Sequence, residues 1–147
     1  MDVAASLDAP CPPSVVAPWV DDLERYPAWL SIVTRAEPVE PHGTAPAWSV
    51  DLRGHIGPLA RSKRLRMVRT VHEPERLVVF ERSEGDGRQH APWVLRAELT
   101  PTPAGSHLTM HLHYGGSFWG PVLERLLRDE IVQGSQRLLA LVTCPPG

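Results

Sequence analysis

The sequence predicts an α+β domain in which a curved antiparallel sheet of about six to seven strands packs against one long C-terminal helix. Two observations lead to this fold class. Apolar residues recur at helical spacing through the run Ser117–Val142, and the preceding segments alternate between apolar and polar residues and are joined by tight turns. A helix of that length needs a large apolar surface to cover, and a sheet with one buried face provides such a surface.

The N-terminal part predicts one strand and two short helices. Val3–Asp8 alternates weakly and is interpreted as the first strand. The following apolar segment would form a helix, but Pro18 and Pro27 each interrupt it and leave two short pieces. Asp21 or Asp22 can cap the second piece.

The middle of the chain predicts the rest of the sheet. Its strands are expected at Ile32–Val39, Ala47–Ile56, Arg61–His72, Arg76–Ser83, Trp93–Thr100 and Ser106–Tyr114. Gly57–Pro58 and the sequence Gly85-Asp86-Gly87 are turn signals. Short connections of this kind join antiparallel neighbours. The strand Arg76–Ser83 is apolar on both sides, so its register is left open and Glu81 could face either way.

The C-terminal run predicts the long helix. Pro121 suits a first helical turn, and Pro145–Pro146 prevents the helix from continuing. Glu124 precedes Arg128 by four residues on the polar face, which is the favourable order for an ion pair. The small residue Gly134 on the apolar face is consistent with room left beneath the helix.

Composition limits the functions that the chain can have. It has 147 residues with a net charge of −2, which predicts a single domain over residues 1–147 without a general attraction for nucleic acid or anionic lipid. No apolar run reaches the roughly 18 residues of a membrane span, and the N-terminus does not resemble a signal peptide. Cys11 and Cys144 are expected to be free thiols in a reducing cytoplasm. We therefore expect a cytoplasmic monomer or homodimer without stable membrane insertion.

This order of elements resembles the helix-grip fold of the START-like (SRPBCC) superfamily, and most closely its polyketide cyclase/dehydrase and lipid-transport family. The resemblance is carried by the strand Val3–Asp8, by the run Asp22–Trp29 and by the closing amphipathic helix. Within the run, the element Tyr26-Pro27-Ala28-Trp29 is similar to the family's Tyr-Pro-x-Trp pattern. The resemblance implies an apolar ligand held in a cavity between the sheet and the long helix.

Strand alternation identifies the residues expected to contact such a ligand. They lie on the inward faces of the strands and of the helix, and they are Trp48, Leu52, Met67, Arg69, Trp93, Leu95, Met110, Leu112, Tyr114, Leu127 and Ile131. Arg69 would be costly to bury alone, so it needs an oxygen partner, either in the protein or in a ligand. Arg69 and Tyr114 are also the candidates for catalysis, as an enolate-stabilising cation and a proton donor.

Two further clusters do not predict a site. His107, His111 and His113 lie on one strand face, but the alternation turns that face outward and no cysteine or carboxylate cluster accompanies it, so no metal is expected. The arginines and lysine of the segment 61–69 have acidic partners on neighbouring strands, so nucleic-acid binding is not expected. No nucleotide or phosphate fingerprint is present, and no cofactor is expected.

Three functions remain open at this point. The leading prediction is a non-enzymatic protein that binds a hydrophobic small molecule, such as a lipid or a polyketide-like or other aromatic compound. The second is an aromatase/cyclase-like enzyme, and the third is a protein-interaction module with a filled core. The presence or absence of an apolar cavity separates the first two from the third.

Overall fold

The predicted order of strands and helices is confirmed, from an N-terminal strand to a C-terminal helix. The computed structural model describes residues 2–56, 59–115, 123–142 and 144. The elements are β1 (Asp2–Ala9), α1 (Pro13–Val20), a short 3₁₀ helix (Leu23–Ala28), β2 (Val33–His42), β3 (Ala45–Ile56), β4 (Leu59–Glu73), β5 (Leu77–Arg82), β6 (Trp93–Thr102), β7 (Gly105–Tyr114) and α2 (Leu123–Leu141). The predicted turn Gly57–Pro58, the helix start Ser117–Val122 and the stop Pro145–Pro146 lie outside the described residues.

The seven strands form one antiparallel sheet in the order β1-β7-β6-β5-β4-β3-β2. Each strand from β2 to β7 pairs with its neighbour in sequence, as tight connections require. The pairing of β1 with β7 joins the first strand in sequence to the last. One apolar face of this sheet packs against α2, which confirms the α+β class.

The first helical segments pass through the prolines instead of breaking at them. α1 contains Pro18 and the 3₁₀ helix contains Pro27. The chain interrupts its helical course at Asp21–Asp22, where the Asp22 carboxylate accepts a hydrogen bond from the Glu24 amide at 2.9 Å. The expected cap at the second helix is therefore Asp22. Such short helices can lose single backbone hydrogen bonds because tertiary packing supplies most of their stability.

The Tyr-Pro-x-Trp element anchors these helices to the sheet. Tyr26 and Trp29 are almost fully buried, and their ring centroids lie 4.7 Å apart. The Tyr26 hydroxyl donates to the carbonyl oxygen of Val20 at 2.9 Å, and the Trp29 indole nitrogen donates to that of Trp19 at 3.1 Å. Tyr26 also meets Phe80 of β5 edge to face, at 6.2 Å between centroids. Each aromatic ring thus contributes apolar burial while its polar atom is satisfied locally.

Two strand assignments are settled by the registers of β4 and β5. A bulge at Thr70 shifts the pairing of β4, and an extra residue reverses the alternation beyond it. Val71, which a regular alternation from Met67 and Arg69 would place on the inner face, is for this reason 39% exposed. In β5 the core-facing residues are Val78 and Phe80. Glu81 therefore lies on the outer face.

α2 approaches the end of the 3₁₀ segment closely at Gly134. A β-carbon at this position would lie 2.9 Å from the carbonyl oxygen of Trp29 and 3.0 Å from Cδ1 of Leu30. The small residue therefore permits contact between helix and backbone, and the interpretation that Gly134 leaves room for a ligand was wrong. Within the described residues, no helix combines the length and apolar character needed to cross a membrane.

The expectation of two free thiols was also wrong, because Cys11 and Cys144 form a disulfide. Their sulfur atoms are 2.05 Å apart and their Cα atoms 5.4 Å apart. Sequence separation concealed the pair: Cys11 follows β1, and α2 packs beside β1, so the residues after α2 return to Cys11. Disulfides persist mainly in oxidising environments. The argument from free thiols for a cytoplasmic location therefore no longer holds, and the location remains a prediction.

Reduction of the disulfide is expected to destabilise the protein strongly. The bond joins residues 133 positions apart, and a loop of this length constrains the unfolded chain by about 3–5 kcal/mol. Urea unfolding of the oxidised protein with and without dithiothreitol measures this difference. Cys144→Ser is the control, since reductant should not change its stability. Alkylation of both cysteines in the unfolded, unreduced protein would contradict the disulfide.

Replacement of Gly134 by alanine should lower stability, although alanine is the better helix former by about 1 kcal/mol. The added methyl group meets a backbone oxygen that cannot move without shifting Trp29, so we expect a net loss of about 1–3 kcal/mol. Chemical denaturation measures the loss. Gln133→Ala, at the exposed neighbouring position, should change stability by less than about 0.5 kcal/mol. A Gly134→Ala protein as stable as the parent would disprove the close contact.

Candidate functional site

An apolar cavity lies between the inner face of the sheet, the segment that follows α1, and α2. Its volume is about 80 Å³, and its accessible surface is wholly apolar. The wall includes residues that were predicted from strand and helix faces, namely Leu52, Met67, Trp93, Leu95, Met110, Leu112, Leu127 and Ile131. The structure thus brings these eight side chains together around one space.

Sequence reasoning missed the third wall of the cavity. It is formed by the segment between α1 and β2, which contributes Leu23, Tyr26, Trp29, Leu30 and Ile32, and by Val33, the first residue of β2. Val50, Leu65 and Glu130 complete the wall. Strand alternation says nothing about a helical segment and its connection. The available signal was the apolar character of the Tyr-Pro-x-Trp element and its flanks.

Trp48 lies beside this site, outside its wall. Its ring packs edge to face on Phe80, at 5.6 Å between centroids. Its indole nitrogen donates to the Glu24 carboxylate at 3.2 Å. These contacts place Trp48 in the aromatic cluster that joins the 3₁₀ helix to the sheet, and its role as a ligand contact remains a prediction.

Arg69 contacts the end of α1. Its Nη1 donates to the carbonyl oxygen of Asp21 at 3.0 Å, and its guanidinium carbon lies 6.0 Å from the ring centre of Trp48. Asp21 is the C-cap residue of α1, where a cation interacts favourably with the helix dipole. His72 adds a contact of 3.1 Å to the Asp21 carboxylate. The oxygen partner that Arg69 needed on the inner face is therefore a backbone carbonyl of the protein.

Tyr114 is buried at the end of β7 and does not belong to the cavity wall. It contacts the wall indirectly, since its ring lies 5.4 Å from that of Trp93 at an angle of 31°. Tyr114 can therefore influence the position of Trp93. A direct contact between Tyr114 and a ligand remains a prediction.

Three polar groups belong to side chains of the cavity wall. The Tyr26 hydroxyl is satisfied by Val20, and burial raises its pKa far above the ordinary value, so it stays protonated. Glu130 of α2 accepts a hydrogen bond from the hydroxyl of Ser31, on the connection before β2. The Trp93 indole nitrogen is buried and is the one such side-chain atom without a hydrogen-bond partner in the described part of the chain.

The histidines of β7 lie on the outer face and pair with β1. His107 contacts the Asp8 carboxylate at 2.7 Å, and His111 and His113 contact that of Asp2 at 3.1 and 3.0 Å. The hydrogen bond from His113 lowers the pKa of Asp2. Among the described residues, no group of three or more potential ligands has the arrangement of a metal site. These contacts link β7 to the edge strand β1, and each surface pair of this kind contributes little to stability.

Arg64 and Arg66 of β4 have partners on neighbouring segments of the sheet. Arg64 forms an ion pair with Asp51 at 2.7 Å. Arg66 donates to the carbonyl oxygens of Ser83 and Glu40 at 2.9 and 3.2 Å. The Arg64–Asp51 pair is an acidic cross-strand partner of the kind that was expected, whereas the partners of Arg66 are backbone carbonyl oxygens. Both sets of contacts use donors that a phosphate group would need.

Solved structures share this fold at low sequence identity. A START superfamily protein from Mycobacterium smegmatis superimposes with a TM-score of 0.71 at 16% identity, covering 96% of each chain. Protein TTHA0849 from Thermus thermophilus gives 0.70 at 18% identity, covering 97% of this chain and all of the other. The di-domain aromatase/cyclase StfQ of the steffimycin biosynthetic pathway gives 0.69 at 16% identity, covering 96% of this chain and 50% of StfQ.

These likenesses establish the helix-grip fold of the START-like superfamily. No curated protein matches the sequence significantly. The model of the family described as polyketide cyclase / dehydrase and lipid transport, however, matches residues 1–143. The chain therefore belongs to the polyketide cyclase/dehydrase and lipid-transport family.

Proposed function

We propose that this protein binds a small hydrophobic molecule between its sheet and α2. The observation that carries the proposal is the apolar cavity at this place, because dense packing normally leaves no such space in a domain core. Family membership supports it, since the family description includes lipid transport. The cavity also argues against the interaction module with a filled core.

The cavity volume limits the ligand in the present conformation. About 80 Å³ is less than the roughly 150 Å³ of an engineered cavity that binds benzene. A ligand with one ring or more must therefore displace part of the wall. Met67 and Met110 lie in that wall, and methionine side chains adapt readily to new shapes. Leu127 and Ile131 belong to α2, so a small shift of this helix would also enlarge the space.

An enzyme of the cyclase type is the second candidate. The family description and the likeness to StfQ favour it. The chemistry of the wall favours it less: among the described wall residues, Glu130 is the one carboxylate and there is no histidine, lysine or arginine. Glu81, the carboxylate whose orientation the sequence left open, lies on the outer face. Among the described wall residues, Glu130 is thus the candidate general base, and conversion of a poly-β-ketone substrate would reveal a catalyst.

Filling the cavity should abolish binding without unfolding the domain. Ile131→Phe enlarges a wall residue of α2, whereas Val132→Phe enlarges its neighbour, which is 56% exposed. Native mass spectrometry of each freshly purified protein, compared with its denatured mass, should show a bound molecule in the parent and in Val132→Phe but not in Ile131→Phe. No excess mass in the parent and no thermal shift with lipids and aromatic compounds would refute ligand binding.

Arg69→Ala tests whether this arginine serves the ligand or the fold. We expect a loss of about 1.5–3 kcal/mol in the free energy of unfolding, because a charged hydrogen bond to the Asp21 carbonyl disappears. Ligand affinity should stay within about twofold of the parent, since Arg69 does not belong to the cavity wall. Arg96→Ala, which removes an exposed pair with Glu98, should cost no more than about 1 kcal/mol. If Arg69→Ala lost ligand affinity without losing stability, Arg69 would contribute to ligand binding and not to the fold.

A further inference from the structure

The indole N–H of Trp93 distinguishes this side chain from the other buried tryptophans. Trp29 and Trp48 donate their indole N–H groups to Trp19 and Glu24 at 3.1 and 3.2 Å. Trp93 is 5% exposed, and among the described residues no acceptor meets its Nε1 atom. Buried polar groups are nearly always paired, and an unpaired one is costly. Beside the paired indoles of Trp29 and Trp48, this unpaired donor therefore points to an acceptor from outside the described residues.

The position of Trp93 connects this donor to the cavity. Trp93 forms part of the wall, and its ring is backed by that of Tyr114 at 5.4 Å. A ligand with one ring exceeds the present volume, so the wall must yield when it enters. The Trp93 N–H is then the buried group of the wall that can gain a partner. Since an indole N–H only donates, this partner must be an acceptor atom such as a carbonyl, ether or hydroxyl oxygen.

Glu130 sets a second condition, which concerns charge. Its carboxylate is held by Ser31, a residue on the opposite side of the gap between α2 and the β2 connection. No arginine, lysine or histidine occurs among the described wall residues. The cavity surface is wholly apolar and the Glu130 carboxylate is not part of it, but this negative charge belongs to a wall residue. A ligand carboxylate in the cavity would have a like charge nearby and no counter-ion among the described wall residues, which disfavours its transfer from water.

We propose that the ligand is an uncharged, mostly apolar molecule whose acceptor oxygen binds the Trp93 N–H, and that Glu130 disfavours anionic analogues. The proposal rests on the function proposed above and narrows it to compounds such as ketones, esters or ethers. Free fatty acids and other apolar carboxylates are disfavoured. Trp93 is then a specificity-determining residue for oxygen, and Glu130 is one for charge.

Three probes of nearly the same shape separate these conditions. Acetophenone carries a carbonyl oxygen, α-methylstyrene carries a methylene group in its place, and benzoate carries a carboxylate. We expect the oxidised parent protein to bind acetophenone about tenfold more tightly than α-methylstyrene, because one buried hydrogen bond distinguishes them. Benzoate should bind more weakly than acetophenone by about tenfold or more.

The variants assign each preference to its residue. Trp93→Phe should bind acetophenone and α-methylstyrene equally, and the affinity for α-methylstyrene controls for the change in shape. Glu130→Gln should improve benzoate binding several-fold and leave the preference for the ketone over the alkene unchanged. Asp129→Asn, an exposed neighbour on the same helix, removes the same charge outside the wall and should leave all three affinities unchanged.

Nuclear magnetic resonance titration of the indole N–H signals provides the direct measurement. The signal that is missing from Trp93→Phe should move with acetophenone and much less with α-methylstyrene. Equal affinities for ketone and alkene, with this signal unmoved by either, would overturn the oxygen preference while leaving the proposed function intact. Unchanged benzoate binding in Glu130→Gln would overturn the role of Glu130. Failure of all three probes to bind the parent would overturn the proposed function as well.

Discussion

The structure depends on covering the apolar face of a seven-stranded sheet with few helical elements. One helix, α2, cannot cover this face alone, because helices are roughly 10 Å wide and the sheet is much broader. The segment from α1 to β2 covers the remainder, and Tyr26 and Trp29 hold it in place through packing and two local hydrogen bonds. The cavity lies where the sheet, this segment and α2 meet without filling the space between them.

The polar atoms around the core explain why only part of the inner face can serve a ligand. On the side of α1, the indole of Trp48 and the guanidinium of Arg69 are bound by Glu24 and by the Asp21 carbonyl. The polar groups on that side already have protein partners, and they contribute to the attachment of α1. On the other side the wall is apolar, and the Trp93 indole has no acceptor in the described chain. Groups that stabilise the fold and groups available to a ligand are thus separated across one sheet face.

Three contacts attach the C-terminal part of the chain to its N-terminal part. β1 pairs with β7, α2 packs beside β1, and the disulfide joins Cys11 to Cys144. The disulfide thereby attaches the C-terminal end of α2. In the middle of the helix, the small residue Gly134 allows α2 to approach Trp29 closely. Leu127 and Ile131, which face the cavity, lie in the helix N-terminal to this contact. The close contact at Gly134 and the disulfide therefore both lie after the cavity-facing residues of α2.

Local patterns in the sequence determined the elements and nearly half of the residues in the cavity wall. The period of two identified the strands and the inward positions of Leu52, Met67 and Leu112, and the helical period identified Leu127 and Ile131, because these patterns reflect which side of an element avoids water. They failed where a contact depends on the path of the chain. The bulge at Thr70 reversed the side of Val71, and the apolar segment before β2 carries no period to interpret.

Only the tertiary structure decided the partners of the remaining groups. Arg69 is on the inner face, as its alternation predicts, yet whether a ligand or a protein carbonyl binds it depended on where α1 ends. Gly134 is small on an apolar helix face, but only the approach of Trp29 shows that the space is used. Cys11 and Cys144 are distant in sequence and meet because α2 packs beside β1, the strand that Cys11 follows. Sequence periodicity specifies the exposure of a residue, whereas its contact partner depends on how separate elements pack.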